Sequence, residues 1–185
     1  MKRLALLILP AVLSACAPSV VEKKETLPTA EPVVQTVKRN VKKTTAAYMT
    51  DQENELKQIL DDSSFFVTRH NNILILTFSG SAIFAENSYH PTRQAVEILE
   101  KIAPVLSAYT KTRISVIGHT DGMGKPSTNQ LMSEKRADAV ASVLKKAAKI
   151  ASVRLWIEGH GNEKTDGNQP RNNGVEIILT PTFVQ

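Results

Sequence analysis

The stretch TRISVIGHTDGMGKPSTNQLMSEKRADAVASVLKKA, residues 112–147, carries the clearest indication of the fold. Thr112 to Gly118 is a run of β-branched and apolar residues that predicts a strand. From about Ser127 to Ala147, apolar residues recur at helical spacing and predict a helix. A further apolar run at 153–158 predicts a second strand. Because strand, helix and strand follow one another, we expect a right-handed βαβ unit.

The remainder of the chain from residue 48 also predicts helices and strands. Thr50 with Glu53 forms a capping-box pattern that predicts a helix ending near Leu60. The other expected elements are strands at 64–69, 73–78 and 174–180, a hairpin turn at 70–72, and a helix that begins at Pro91 and kinks or ends at Pro104. Trp156 is expected in the core. The predicted fold class is α/β, an α+β sandwich with helices packed on a mixed sheet.

The predicted helix that begins near Ser127 breaks its own apolar pattern. Its core-facing arc contains Met132, Val140, Val143, Leu144 and Ala147. Asn129, Ser133 and Arg136 project into this same arc. Because an unpaired buried guanidinium is costly, Arg136 needs an anion or several acceptors. Ser127 with Gln130 forms a second capping-box pattern, which predicts the helix N-terminus beside these groups.

An acidic residue is expected beside the same helix. Asp121 follows the carboxyl end of the predicted strand, where ligands of such sheets usually bind. Asp121, Asn129 and Arg136 should therefore surround one crevice, and this set suits a zwitterion. The carboxylate takes an ammonium group, and the guanidinium grips a carboxylate in bidentate fashion. The alternative is that Asp121 and Arg136 simply pair as a structural salt bridge, and the pattern alone does not decide between the two.

These residues also match a known family pattern. The matching positions are His119-Thr120-Asp121, Gly124, Asn129, Ser133-Glu134-Lys135-Arg136-Ala137 and Val140. Over about residues 74–180 the chain resembles the OmpA-like, or Pal-like, peptidoglycan-binding domain, which implies a βαβαβ domain. The resemblance implies that Asp121 and Arg136 hold the meso-diaminopimelate of the stem peptide through its ammonium and carboxylate. It also makes Asn129 and Thr120 ligand-binding candidates.

The chain departs from the family pattern near its last predicted strand. The family usually has N-R-R-V-E-I there, whereas residues 172–177 read NNGVEI, so both arginines are missing. The difference concerns affinity for the ligand more than the fold.

The first residues predict export and lipidation. A positively charged start precedes an apolar run from Leu4 to Leu13, which is too short to span a bilayer. The sequence LSAC at residues 13–16 resembles the bacterial lipobox, in which the cysteine takes a diacylglyceryl group. Residues 1–15 are therefore a predicted lipoprotein signal peptide with Cys16 as the lipidation site, the alternative being an ordinary secretory signal. Ala17 in place of Asp suggests export to the outer membrane.

A tether is expected between the lipid and the domain. Residues 16–47 contain prolines, valines and charged residues but no glycine or aromatic residue. Such a segment cannot bury enough apolar surface to offset its ordering entropy, so we expect it to be extended and flexible in the periplasm. Residues 48–185 form the predicted peptidoglycan-binding domain.

The composition excludes several classes of function. A single cysteine among 185 residues excludes an intramolecular disulfide framework and a multi-cysteine zinc site. His119, Asp121, His160 and Asp166 lack the spacing of a metal site, so no metal and no cofactor is expected. The chain shows no catalytic constellation, so it is predicted not to be an enzyme. The net charge of +5 is modest, and export argues against nucleic acid as a partner.

The sequence therefore predicts an outer-membrane lipoprotein whose periplasmic domain binds peptidoglycan non-covalently and links the outer membrane to the cell wall. The alternative is a structural accessory component of an envelope-spanning machine, similar to those of type IV secretion systems of the Dot/Icm type. In that case the valine-rich tether or a face of the domain would dock to secretion-system or other envelope proteins.

Overall fold

The computed structural model describes residues 43–60, 65–162 and 173–183. The predicted signal peptide, Cys16, nearly all of the predicted tether and Asp166 lie outside these residues. The helices are α1 (Thr45–Ile59), α2 (Gly80–Ile83), α3 (Arg93–Ala108) and α4 (Pro126–Ala147). The strands are β1 (Phe65–His70), β2 (Ile73–Ser79), β3 (Thr112–His119), β4 (Leu155–Gly159) and β5 (Gly174–Pro181).

The five strands form one mixed sheet in the order β1-β2-β5-β3-β4. β3 and β4 pair in parallel, and the other neighbours are antiparallel. The parallel pair is joined through α4, which packs on both strands, while α3 packs on α4 and α1 packs on α3. This arrangement confirms the predicted fold class and the expected βαβ order of β3, α4 and β4.

The core lies between the sheet and the helices. In β2, in the first half of β3 and in most of β5, buried residues alternate with more exposed ones, which is the period expected of a sheet with one covered face, whereas the last four residues of β3 are all buried. The strand residues of this core are Phe65, Leu74, Leu76, Phe78, Ile114, Val116, Val175, Ile177 and Leu179. Each buried side chain of this size stabilises the fold by about 1.5–3 kcal/mol relative to exposure. Burial of the central strands therefore holds the ends of β3 and β5, where the candidate site lies, in fixed positions.

The first helix begins earlier than the capping-box pattern predicted. Its N-cap is Thr44, whose hydroxyl accepts a hydrogen bond from the Ala47 N–H at 3.2 Å. Thr50 is one turn inside the helix, where its hydroxyl donates to the Ala46 carbonyl. The prediction of a start at Thr50 was wrong because an equally good cap precedes it, and α1 takes in residues 45–47, which had been assigned to the tether.

Pro104 does not end its helix, which was one of the two outcomes that the sequence predicted. It lies inside α3, which continues to Ala108. Proline removes one backbone hydrogen bond and crowds the preceding turn. Burial of Leu99, Ile102 and Leu106 on both sides of Pro104 offsets that cost.

Trp156 is not in the core, which corrects the expectation from its apolar neighbours. It lies on the edge strand β4 and is 41% exposed, whereas Leu155 and Ile157 on either side pack against the core. Alternation along the strand turns Trp156 to the face of the sheet opposite α4. The guanidinium of Arg113 lies 4.6 Å from its ring centroid.

Glu53 gives a pH-dependent test of the packing of α1 on β1. Hydrogen bonds from Lys57 and then from Arg69 lower the pKa of Glu53 below its ordinary value, although burial acts in the opposite direction. A lowered pKa means that the charged form stabilises the fold above the unfolded pKa, and that this contribution is lost as the pH falls through the folded pKa. We expect Glu53→Gln to lower the free energy of unfolding by about 1 kcal/mol at neutral pH, and this effect should shrink as the pH falls through the folded pKa of Glu53.

Urea unfolding at a series of pH values measures this effect. Glu97→Gln is the matched control, because Glu97 pairs with Arg93 on an exposed surface of α3 and should change stability by about 0.5 kcal/mol or less. An effect of Glu53→Gln that is constant from neutral to acidic pH would contradict the assigned ion pairs.

Candidate functional site

A cavity of about 570 Å³ lies where the loop after β3, the start of α4, α2 and the residue before β5 come together. Thr120, Asp121, Asn129 and Arg136 all line it. The structure therefore brings together the four predicted binding residues that it describes, while Cys16 lies outside the described residues.

The loop after β3 fixes the position of Asp121. Oδ1 of Asp121 accepts a hydrogen bond from the backbone N–H of Met123 at 3.1 Å, which closes a tight turn. Gly122 and Gly124 adopt φ values of +80° and +97°, a region that other residues rarely enter. The turn leaves the Asp121 side chain exposed at the cavity rim.

Arg136 is almost completely buried although it carries a charge. Its side chain projects into the cavity from the third turn of α4, and acceptors surround it. Nε donates to the Ser88 carbonyl at 3.1 Å, and Nη1 donates to the His119 carbonyl at 3.4 Å and to the side-chain oxygen of Asn173. The guanidinium carbon lies 5.0 Å from the ring centroid of Phe84. Burial lowers the pKa of Arg136, while the negative charge of Asp121 raises it.

Asp121 and Arg136 do not form the direct salt bridge that the sequence left open as an alternative. None of the ion pairs of the described residues joins them. The side chain of Asn173 lies between them instead, and its Nδ2 donates to Asp121 Oδ2 at 3.2 Å. Both charged groups are consequently held apart on the cavity wall, each with capacity for another partner.

Two buried polar atoms on the cavity wall have no hydrogen-bond partner within the described part of the chain. These are Nδ2 of Asn129 and Oγ1 of Thr120, in residues that are 5% and 6% exposed. Leaving such atoms unsatisfied costs about 1–3 kcal/mol each. Both atoms lie beneath the cavity surface, in residues that line it.

Ser133 has a structural role, although it lies in the same arc of α4. Its hydroxyl donates to the Gln130 carbonyl and accepts from the backbone N–H of Gly161, both at 2.8 Å. The Gly161 carbonyl in turn accepts from the backbone N–H of Thr120 at 2.7 Å. Ser133 thus connects α4 to the loops after β3 and β4.

The N-terminus of α4 differs from the predicted capping box. The helix starts at Pro126, and its N-cap Lys125 makes no side-chain cap bond. Pro126 suits the first helical position because that residue needs no N–H. Gln130 instead donates to the Gly159 carbonyl at 2.7 Å and to Glu134 at 2.8 Å, so the Ser127–Gln130 cap was wrong. The helix N-terminus does lie beside the cavity, as expected, through Thr128 and Asn129.

Asn173 is the cavity residue that sequence reasoning missed. In residues 172–177 the family pattern drew attention only to the two missing arginines. The available signal was that Asn173 occupies the first of those two arginine positions, directly before the last strand.

His119 and His160 pack against each other near the cavity. His119 is buried with Nε2 3.6 Å from Glu176 Oε2, and its ring packs edge-to-face on His160. Among residues 43–60, 65–162 and 173–183, no group of His, Cys, Asp and Glu is arranged to hold a metal. The helices in these ranges also include none with the length and apolar character needed to cross a membrane.

Residues 83–176, about half of the chain, match the sequence model of the OmpA family. The chain is 33% identical over 140 residues to the probable lipoprotein YiaD of Escherichia coli (strain K12), covering 72% of this chain and 64% of that protein. It is 25% identical over 119 residues to the peptidoglycan-associated lipoprotein of Legionella pneumophila, covering 61% of this chain and 62% of that protein. The chain thus spans less than two thirds of the length of either relative.

The fold is also found among solved structures. The cell wall anchor of the T6SS from Pseudomonas aeruginosa superposes with a TM-score of 0.56 at 24% identity, covering 70% of this chain and 99% of that chain.

Proposed function

Because the chain belongs to the OmpA family, we propose that its cavity binds peptidoglycan non-covalently through the diaminopimelate of the stem peptide. Asp121 takes the ammonium group of the diaminopimelate, Arg136 takes its carboxylate, and Asn129 and Thr120 bond the same ligand from the cavity wall. The name of the Legionella relative, a peptidoglycan-associated lipoprotein, supports this proposal.

The observation that carries the proposal is the separation of opposite charges on one cavity wall. A buried guanidinium without a carboxylate partner is costly unless something anionic completes its environment. An acidic group and a basic group that do not neutralise each other match a ligand that carries both signs. Hydrogen bonds that involve a charged group are about twice as strong as neutral ones. A single zwitterion forms such bonds to both Asp121 and Arg136.

Attachment to the outer membrane is the second part of the proposal. Lipid on Cys16 would hold the chain to the membrane, and residues 17–42 would separate the lipid from α1. Fully extended, a segment of that length reaches about 90 Å. The name of the YiaD relative, a probable lipoprotein, supports lipid attachment. The resulting protein is a non-enzymatic link between outer membrane and cell wall.

The alternative role in a type IV secretion machine is based on similarity to accessory lipoproteins of such systems, and the missing arginine pair mildly favours it. Asn173, at one of those positions, contacts both Asp121 and Arg136. The cavity therefore keeps a polar side chain there, and the missing arginines no longer favour the secretion role over wall binding.

Substitution of Asp121 tests the proposed ammonium contact. In a sedimentation assay with diaminopimelate-type sacculi, we expect Asp121→Asn to weaken binding by about 10- to 100-fold, because a charged hydrogen-bond partner is lost. The protein used is an unlipidated form, residues 16–185 with Cys16→Ser, which retains every residue the structure describes.

Asp138→Asn is the matched control, since it removes the same charge from an exposed position of α4. It should pellet with sacculi as the parent does. Equal loss of binding in both variants would indicate a net-charge effect, and full binding by Asp121→Asn would remove Asp121 from the proposed site.

A further inference from the structure

Asn173 places one polar atom against each of the two charged side chains of the cavity. Its Oδ1 accepts from Arg136 Nη1, and its Nδ2 donates to Asp121 Oδ2. A guanidinium has no acceptor and a carboxylate has no donor, so this is the one orientation of the amide that bonds both. The carboxylate of a zwitterion would likewise supply an acceptor to Arg136, and its ammonium group would supply a donor to Asp121.

We propose that Asn173 is an internal competitor for this site. In the free protein its amide occupies the places of the ligand's carboxylate and ammonium, and it turns away when diaminopimelate binds. The inference rests on the proposed function, since it concerns regulation of the same cavity.

The backbone around Asn173 restricts the movement to the side chain. A Cβ added to Gly80 would lie 1.4 Å from the Asn173 carbonyl oxygen, so α2 lies directly against this residue. The next residue, Gly174, pairs with Ser79 in β2 and with His119 in β3. Helix α2 and the two neighbouring strands hold the backbone at Asn173 and Gly174. Opening the cavity to a ligand therefore requires rotation of the Asn173 side chain and no displacement of β5.

The charges of a zwitterion favour the ligand over Asn173. The amide is neutral, so each of its two hydrogen bonds has one charged partner. A zwitterion would instead place a carboxylate against the guanidinium of Arg136 and an ammonium group against the carboxylate of Asp121, so both partners of each bond would be charged.

Competition by Asn173 has a consequence for specificity. A ligand with only an amine or only a carboxylate replaces one end of the amide and leaves the other charged group without its partner. A ligand with both groups replaces both ends. The apparent dissociation constant for every ligand equals the intrinsic constant divided by the fraction of protein in which Asn173 has left the site.

Calorimetric titration with a meso-diaminopimelate stem peptide tests the proposal on the unlipidated form. We expect Asn173→Ala to bind about five- to tenfold more tightly than the parent, because the two hydrogen bonds of the Asn173 amide no longer compete with the ligand. Asn173→Asp should bind more weakly, since its carboxylate pairs with Arg136 and repels the carboxylate of Asp121. Asn54→Ala, which removes an exposed amide from α1, should bind as the parent does.

The side-chain amide resonances of Asn173 give a second measurement that needs no affinity. In the free protein they should shift when Asp121 is replaced by Asn, and they should move to solvent-like values when the stem peptide is added to the parent.

The outcomes separate this inference from the proposed function. Weaker or unchanged binding by Asn173→Ala, with binding still dependent on Asp121, overturns the competitor and leaves the proposed function standing. Absence of binding by the parent and by all variants overturns both. Tighter binding by Asn173→Ala together with the amide shift supports the competitor.

Discussion

Replacing Arg136 with methionine should abolish binding to sacculi while leaving the domain folded. The guanidinium is the group expected to grip the ligand carboxylate, and methionine offers no hydrogen-bond donor. Loss of a bidentate charged contact corresponds to about 100-fold or more in affinity, or roughly 3 kcal/mol. Sedimentation with sacculi and calorimetry with the stem peptide both measure this loss.

The effect on stability should be small because two contributions oppose each other. The Ser88 and His119 carbonyls and the Asn173 amide lose a donor, at about 0.5–1.5 kcal/mol for each hydrogen bond. Burying the guanidinium lowers its pKa and costs several kcal/mol. A buried methionine side chain does not carry this cost. Methionine keeps an apolar chain beside Phe84. We therefore expect the free energy of unfolding to change by about 2 kcal/mol or less.

Lys145→Met is the matched control, because it removes a positive charge from an exposed position in the last turn of α4. It should retain both binding and stability. Unfolding of Arg136→Met at neutral pH would show that Arg136 serves the fold rather than a ligand. Binding by a folded Arg136→Met equal to that of the parent would place the ligand elsewhere.

The part of the site that lies on one helix could be predicted from the sequence. Asn129, Ser133 and Arg136 fall in the apolar arc of α4, and all three are buried. The spacing of residues along a helix is constant, so a polar residue on the wrong face is visible without a structure. Asp121 was predictable for a similar reason, because it directly follows a strand of a βαβ unit.

Contacts that join distant segments could not be predicted in the same way. Arg136 and Asn173 are 37 residues apart and meet only because β5 pairs with β3 in the centre of the sheet. The exposure of Trp156 likewise depends on the position of β4 at the sheet edge. The sequence of β4 alone does not indicate that it is an edge strand. The start of α1 depended on which of two adequate caps is used, and α4 starts at Pro126 without any side-chain cap bond.

Gly118→Ala should cause the largest loss of stability of the substitutions considered. Gly118 lies in β3 directly beneath α4, and a Cβ added there would lie 2.0 Å from the Ser133 carbonyl oxygen and 2.8 Å from the Ser133 carbonyl carbon. These are backbone atoms within a helix, so no side-chain rotation can relieve the clash. The helix must move away from the sheet, at a cost of about 3 kcal/mol or more in the free energy of unfolding.

Gly124→Ala is the informative comparison for Gly118→Ala in urea unfolding experiments. Gly124 has a φ of +97° but no atom within 4 Å of an added Cβ, so its substitution costs backbone strain of about 1–2 kcal/mol without a clash. A smaller loss at Gly118 than at Gly124 would contradict the close approach of α4 to β3. Because α4 carries Arg136 and the loop after β3 carries Asp121, the same displacement should also weaken binding to sacculi. The glycine therefore sets the distance between the two charged groups as well as the packing of the helix on the sheet.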